Sequence, residues 1–180
     1  MFRESRKYME LDKALDLIAD VPDFPEPGVL FRDLSPLFAD AGGFKAVTHA
    51  LADTVDPDAD LLAGVEARGF LLAAAVGYSR GLGVVLIRKP GKLPRVAGRV
   101  EYTLEYGTAT VELPEGIVEA GQRVAVLDDV LATGGTVAAT CKLLEDAKAQ
   151  VTGVSVVMEL GALGGRSVLE GRRVEALRVC

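Results

Sequence analysis

The residues from Val124 to Val137 combine types and spacing that suit the binding of a phosphate group. They open with a continuous apolar run, Val124 to Leu127, which predicts a parallel strand covered on both faces. The loop that follows is made of small residues, hydroxyls and glycines, and glycine allows a ligand to approach the backbone closely. Its members are Ala132, Thr133, Gly134, Gly135 and Thr136. A helix is predicted over residues 136–150, and the backbone N–H groups at its start would converge on an anion.

An acidic pair, Asp128 and Asp129, follows the predicted strand directly and narrows the type of ligand. A nucleoside-triphosphate loop would carry a lysine for the outer phosphates, but no lysine occurs between Arg123 and Cys141, so the loop suits a monophosphate. Two ionised carboxylates can only accept hydrogen bonds, so they need a partner that donates them. A ribose diol or a hydrated Mg²⁺ is such a partner. The motif therefore favours a phosphorylated sugar. The alternative is an aspartate pair that caps the helix, with the glycines in an ordinary tight turn.

The same motif is similar to the phosphoribosyl-pyrophosphate (PRPP) motif of the type I phosphoribosyltransferases. Four further segments resemble the adenine phosphoribosyltransferases in order and spacing, and the resemblance covers roughly residues 11–160. These segments read FPEPGVLFRD from Phe24, EARGF from Glu66, RKPGKLP from Arg88 and LEYG from Leu104.

The resemblance implies an α/β fold, in which a mostly parallel twisted sheet is flanked by helices. It also implies a small N-terminal hood at about residues 22–36 and a mobile catalytic loop at about 88–107, within a single domain of residues 1–180. The apolar patterns predict helices over 11–20, 43–54, 69–79 and 136–150, and strands over 61–65, 83–88, 108–113, 124–127, 151–160 and 174–179. Charged clusters then follow three strands, at the edge where parallel sheets bind ligands.

The resemblance also assigns roles to individual residues. It places Glu105 at the proton of the purine and the PRPP contacts at the acidic pair and the glycine loop. Asp128 and Asp129 are expected in the outer shell of Mg²⁺, with no direct protein ligand to the metal. The pyrophosphate contacts are expected to be Ala67, Arg68, Arg88, Lys89, Lys92 and Tyr106, and the adenine contacts Val29, Leu30, Phe31 and Arg32.

Several of these residues also have a purely structural interpretation. For Arg68 the alternative is a surface ion pair with Glu66, and for Glu105 it is a solvated charge at a strand edge. The basic residues between Arg88 and Arg99 would be a solvated charge run. Phe24 is predicted to be a core anchor.

The reaction that the resemblance implies is attack by N9 of adenine on C1 of PRPP, which gives AMP and pyrophosphate. Stabilisation of the leaving group and of the oxocarbenium-like sugar would lower the barrier. Two alternatives stay open: transfer to another base (xanthine, hypoxanthine, guanine or orotate), and a non-catalytic PRPP-sensing regulator on the same fold.

Composition sets limits on the partners. The net charge of −6 argues against duplex nucleic acid or an anionic membrane as a main partner, and 49% apolar residues are ample for a core. Two cysteines offer neither a disulfide framework nor a zinc pattern, and residues 1–20 lack an apolar signal core, so a cytoplasmic location is expected. A homodimer is expected from the resemblance.

A competing motif, GYSRG from Gly77 to Gly81, matches the nucleophile elbow of serine hydrolases. That elbow joins a strand to a helix, whereas this motif ends a predicted helix. The single histidine, His49, also precedes the serine and is predicted to lie on a helix face. A hydrolase is therefore not favoured.

Overall fold

The computed structural model describes residues 9–103 and 107–180. By its internal contacts the chain divides into two compact units, residues 1–50 and 51–180, and each is described by itself. The single domain predicted over residues 1–180 stays a prediction.

The first unit contains two short helices, a hairpin and most of a third helix. The elements are α1 (Leu11–Leu15), β1 (Ala19–Pro22), β2 (Leu30–Asp33), α2 (Ser35–Ala39) and α3 (Ala41–Thr54), and β1 pairs antiparallel with β2. The helix predicted over residues 11–20 is wrong beyond Leu15, because Ala19–Pro22 pairs with β2 instead. A residue that precedes a proline, here Val21, also disfavours helical backbone. His49 lies exposed on α3, as predicted.

The second unit is built on a five-stranded sheet in which every pairing is parallel, and this confirms the predicted fold class. Its strands are β3 (Leu61–Val65), β4 (Gly83–Ile87), β7 (Arg123–Leu131), β8 (Gln150–Glu159) and β9 (Val174–Val179), in the order β4-β3-β7-β8-β9. Two helices, α4 (Arg68–Arg80) and α5 (Gly135–Asp146), pack on this sheet. β3 and β9 have the predicted bounds. β3 is an uninterrupted apolar run, which marks a buried strand clearly, whereas β9 includes Glu175 and Arg178 and is mostly half-buried.

Strand β7 is longer than predicted and contains the acidic pair. Pairing with β8 continues through Asp128, opposite Val156, to Leu131, opposite Glu159. The sequence prediction ended the strand at Leu127 because aspartates are rare in buried strands. The backbone ladder outweighs that preference, so the two carboxylates are held by a strand and not by a loop.

The segment predicted as a loop over residues 88–107 contains a strand. Here β5 (Val96–Thr103) pairs antiparallel with β6 (Thr108–Pro114) in a separate two-stranded sheet. The turn-forming glycine and prolines stop at Pro94, and side chains then alternate between half-buried and exposed along β5, which is the period of a strand. The loop prediction is wrong for residues 96–103, and the predicted mobility stays a prediction.

Two short 3₁₀ helices, Gly161–Leu163 and Ser167–Leu169, connect β8 to β9. The GYSRG motif ends α4, with Gly81 in the left-handed conformation at φ 69°, so it does not form the strand-to-helix turn of a hydrolase. Over residues 9–103 and 107–180, none of the helices has the length and apolarity needed to cross a membrane.

Candidate active site

Three charged clusters meet at the carboxyl edge of the sheet, as predicted. Two of them follow β3 and β4, and the third, the acidic pair, lies near the end of β7; these three strands are neighbours in one parallel sheet. Arg88 Nε, after β4, donates to Glu66 Oε2 at 3.1 Å after β3, and Arg68 Nε donates to Asp129 Oδ2 of β7. The clusters are therefore joined by ion pairs across the edge of the sheet.

The acidic pair is almost completely buried, with 8% of Asp128 and 5% of Asp129 exposed. The backbone N–H of Asp129 donates to Asp128 Oδ1 at 2.9 Å. Burial raises the pKa of Asp128 well above its usual range, and the neighbouring charge of Asp129 raises it further. Such a pair is costly to bury, and stability alone does not account for it.

The alternative that this pair caps α5 is wrong. The N-cap residue of α5 is Gly134, in the left-handed conformation at φ 81°, and it has no side chain that could cap the helix. Arg68 forms its ion pair with Asp129, whereas Glu66 pairs with Arg88, so the predicted structural alternative for Arg68 is also wrong.

The glycine loop lines a cavity of about 70 Å³ at the start of α5. Its lining residues are Asp128, Val130, Leu131, Ala132, Thr133, Gly134, Gly135, Thr136 and Val137. The structure therefore brings all five predicted loop residues and one of the two acids to one small polar cavity. Because the N–H groups of the first helical turn are free, this cavity suits an anion.

Tyr102 of β5 contacts this loop and was missed by sequence reasoning. Thr136 Oγ1 donates to the Tyr102 hydroxyl at 3.0 Å. A Cβ atom built on Gly135 would lie only 3.1 Å from Tyr102 Cδ2, so the ring packs directly on the start of α5. The position of this tyrosine two residues before Leu104-Glu105-Tyr106-Gly107 carries no signal by itself.

Glu66 organises the side of the site formed by β3 and β4. Its carboxylate accepts from Arg88 Nε and, at 2.7 Å, from the backbone N–H of Lys89. These contacts lower the pKa of Glu66, with the Lys89 N–H as the largest cause. The Arg88 guanidinium also lies 5.5 Å from the centre of the Phe70 ring. Glu66 was quoted in the EARGF segment but was not predicted as a site residue.

The backbone between Glu66 and Arg68 is unusual, since the Glu66–Ala67 peptide is cis. Ala67 and Arg68 are exposed at the start of α4, and Lys89 and Lys92 are exposed after β4. Glu105 and Tyr106 lie outside the described residues.

The predicted adenine contacts belong to the first unit. Val29 and Leu30 are 43% and 46% exposed, and Phe31 is half-buried. Arg32 pairs with Asp20 on the neighbouring strand. The prediction that Phe24 anchors the core is wrong, because half of this residue is exposed.

Phe24 instead makes an edge-to-face contact with Phe31, with ring centres 5.1 Å apart. The segment before β2 stays outside the core because it is a tight turn, in which Gly28 N–H donates to Asp23 Oδ1 at 2.7 Å. The hood thus offers an exposed apolar surface formed by Phe24, Val29 and Leu30.

The parallel sheet and the site at its carboxyl edge are those of a phosphoribosyltransferase, and comparison with known protein families supports this class. The family model of the phosphoribosyl transferase domain matches residues 37–168. This range contains the acidic pair, the glycine loop and the three charged clusters at the sheet edge.

Relatives of known sequence narrow the class further. The adenine phosphoribosyltransferase of Saccharopolyspora erythraea is 57% identical over 168 residues, which cover 93% of this chain and 91% of the relative. That of Mycolicibacterium vanbaalenii is 58% identical over 167 residues, or 92% and 95% of the two chains. The chain belongs to the adenine phosphoribosyltransferase family.

Solved structures agree. A crystal structure of adenine phosphoribosyltransferase from Thermoanaerobacter pseudethanolicus has a TM-score of 0.91 at 41% identity and covers 94% of this chain and 99% of its own. The Giardia lamblia enzyme, complexed with 9-deazaadenine, has a TM-score of 0.88 at 33% identity, over 96% and 98% of the two chains.

Proposed function

We infer that the chain catalyses the reaction of its family, in which adenine and PRPP give AMP and pyrophosphate. The observation that carries this inference is the buried acidic pair at the end of β7, followed at once by the cavity-lining loop that opens α5. Family membership identifies adenine as the purine substrate, and this geometry offers a binding site for a phosphorylated ribose.

The 5′-phosphate of PRPP binds in the cavity at the start of α5. The loop from Ala132 to Thr136 has no charged side chain, so backbone N–H groups and two hydroxyls hold the phosphate. Hydrogen bonds to a charged group contribute about 1.5–3 kcal/mol each.

The acidic pair accepts hydrogen bonds from the ribose hydroxyls. The same carboxylates fit Mg²⁺ in their outer shell, because Asp128 and Asp129 lie side by side in a buried position and repel each other. A dication nearby relieves that repulsion and, when bound, neutralises part of the pyrophosphate charge. Arg68, paired with Asp129, connects this pair to the pyrophosphate side.

Pyrophosphate is held by the backbone of Ala67, by Arg68 and by the basic residues after β4. Arg88 is oriented by Glu66 and by the Phe70 ring, which fixes the position of its charge. Lys89 and Lys92 are exposed, so their side chains are accessible to a ligand, and Tyr106 completes the set. Permanent cations at these places stabilise the leaving group as its charge develops.

Adenine is bound by Val29, Leu30, Phe31 and Arg32 of the hood, with apolar side chains against the ring and backbone groups at its edge. The exposed ring of Phe24 next to Phe31 adds a further apolar surface for the base. Glu105 acts on the proton of the attacking purine.

The proposal of a homodimer is supported by an exposed apolar stripe on α4. Leu71 and Tyr78 are 45% and 93% exposed, and Ala74 and Ala75 lie between them at helical spacing. The adjacent edge strand β4 adds Leu86, which is 38% exposed. Pairing of two copies across this face buries both the stripe and the strand edge. Light scattering that reports a stable, active monomer would contradict this proposal.

A cytoplasmic location is proposed because both cysteines are free thiols in the described structure, Cys141 buried and Cys180 exposed.

The test of the reaction is pyrophosphate release by the purified protein with PRPP, Mg²⁺ and one base at a time. Adenine should turn over well, whereas guanine, hypoxanthine, xanthine and orotate should not. EDTA should abolish turnover with adenine. Efficient use of another base with adenine inert would overturn the specificity, and tight PRPP binding without turnover of any base would indicate a PRPP-sensing regulator.

A further inference from the structure

The segment between β8 and β9 lies directly against the backbone of the glycine loop. A Cβ atom built on Gly165 would stand 2.1 Å from the carbonyl oxygen of Ala132 and 3.0 Å from the backbone nitrogen of Gly134. Seen from the other side, a Cβ atom on Gly134 would stand 2.5 Å from the Gly165 carbonyl oxygen. The two backbones are therefore in contact with no room for a side chain between them.

Gly165 is held in this position by its neighbour. Both oxygens of Glu159, at the end of β8, accept from Arg166 Nε at 3.1 Å. Arg166 Nη1 also donates to the Val174 carbonyl oxygen at 2.7 Å, so one guanidinium joins the last residue of β8 to the first residue of β9. Glu159 is only 5% exposed, and the carboxylate is therefore a fixed anchor.

The anchor is itself connected to the strand that leads into the glycine loop. The backbone N–H of Leu160 donates to the carbonyl oxygen of Leu131 at 2.8 Å. Leu131 is the last residue of β7 and is followed at once by the loop. The segment around Gly165 and the loop are thus fixed to adjacent strand ends and pressed together.

This contact matters for binding because the loop has no charged side chain. Its affinity for a phosphate depends on where its backbone N–H groups point, and such bonds weaken steeply with distance and angle. A displacement of about 1 Å at a binding group costs up to about 10²-fold in rate. A long charged side chain would follow the ligand, but backbone N–H groups do not.

We propose that Gly165 is a positioning residue for PRPP: its bare backbone supports the glycine loop from behind, and the Arg166–Glu159 ion pair keeps it there. The proposal rests on the proposed function of the loop as the 5′-phosphate site. It extends the PRPP-binding machinery to a segment about thirty residues beyond the motif.

The first test is Gly165→Ala, with Gly161→Ala as the matched control. Gly161 lies in the same segment, but a Cβ atom there makes only ordinary contacts, at 3.4 Å, with Cys180 and Val179. We expect Gly165→Ala to raise the KM for PRPP about 10-fold or more and to leave the KM for adenine, measured at saturating PRPP, within 2-fold. Gly161→Ala should match the unmodified protein.

The second test needs no change at the contact itself and applies even where Gly165→Ala does not fold. Arg166→Gln should raise the KM for PRPP several-fold, and Arg166→Lys should recover part of the loss. Arg173→Gln is the control, because Arg173 pairs with Glu175 at 3.1 Å and its side chain is 49% exposed, as is that of Arg166.

The proposal is overturned if Arg166→Gln leaves the KM for PRPP equal to that of Arg173→Gln. It is also overturned if PRPP and adenine are weakened equally, since that result indicates a general structural role. Failure of the unmodified protein to turn over PRPP and adenine would instead contradict the proposed function, so the two failures are distinguishable.

Discussion

Two neighbouring turns at the same sheet edge are built in opposite ways. The turn after β3 carries charged side chains, with Glu66 bound to Arg88 and Arg68 bound to Asp129. The loop after β7, Ala132 to Thr136, has none and lines its cavity with backbone and small residues. Both turns lead into a helix, yet one presents charge on side chains and the other presents oriented N–H groups.

The difference decides which substitutions each turn tolerates. A network of side chains is sensitive to loss of charge, because removing one partner leaves another buried and unpaired. A backbone cavity is sensitive to added volume, because it has no flexible part that can adapt. Substitutions that remove a charge should therefore affect mainly the turn after β3, and substitutions that add volume should affect mainly the loop after β7.

The largest effect is expected for Asp129→Asn. It removes the partner of Arg68 and an acceptor for the ribose at the same time. We expect kcat/KM for PRPP to fall about 10²-fold or more, which corresponds to one or two charge-assisted hydrogen bonds, with adenine affinity retained. Steady-state kinetics and calorimetry with each substrate measure both quantities.

The control is Asp56→Asn, whose partner Arg123 is the first residue of β7, at the other end of that strand. Asp56 Oδ2 accepts from Arg123 Nη2 at 2.9 Å, so a similar ion pair is removed far from the cavity. If both variants lose PRPP use equally, or if Asp129→Asn weakens adenine as much as PRPP, the acidic pair has only a structural role.

A smaller effect is expected from added volume at Gly135. A Cβ atom there would lie 3.1 Å from Tyr102 Cδ2 and 3.4 Å from the Thr103 carbonyl oxygen. Crowding of this kind costs about 1–3 kcal/mol, and we expect Gly135→Ala to raise the KM for PRPP about 10-fold. Gly153→Ala is the control, since its nearest contact would be an ordinary 3.5 Å. A KM as low as that of the control would mean that the loop adapts to added volume.

Sequence reasoning located the glycine loop because all its parts are contiguous. A strand, an acidic pair, glycines and a helix start are read from one stretch, and the uninterrupted apolar run of β3 fixed that strand to the residue. The same reasoning ended β7 too early, since local propensity does not include the ladder that β8 provides.

What the sequence did not reveal are contacts between distant segments. Tyr102 meets Thr136 across 34 positions, and Gly165 meets Ala132 across a similar distance. Phe24 was assigned to the core because a large aromatic ring is usually buried, whereas the turn at Gly28 keeps it exposed. The contacts of Tyr102 and Gly165 depend on which segments the sheet brings together, and residue types alone do not encode this.

The smallest effect concerns the free energy of unfolding. Loss of the charge at Glu66 and loss of the charge at Asp128 should change it in opposite directions. The pKa of Glu66 is lowered by its Lys89 and Arg88 contacts, so its ionised form stabilises the fold above its ordinary pKa, and that stability is lost as the pH falls through the lowered value. The pKa of Asp128 is raised by burial and by Asp129, so its contribution is complete at low pH and is lost as the pH rises through the raised value.

At neutral pH, Glu66→Gln should therefore lower the Tm by a few degrees, which corresponds to about 1 kcal/mol in a chain of this size, whereas Asp128→Asn should raise it. In both variants the amide oxygen can still accept the backbone N–H bonded in the structure, from Lys89 and from Asp129, so the comparison isolates charge. Both differences should shrink toward pH 4, where the ordinary carboxyl groups begin to protonate. Calorimetric scans from pH 4 to 8, with EDTA and without substrates, measure the two curves. Tm shifts of the same sign in the two variants would show that Glu66, after β3, and Asp128, within β7, experience the same kind of environment. The contrast between the side-chain turn and the backbone loop would then not extend to their electrostatics.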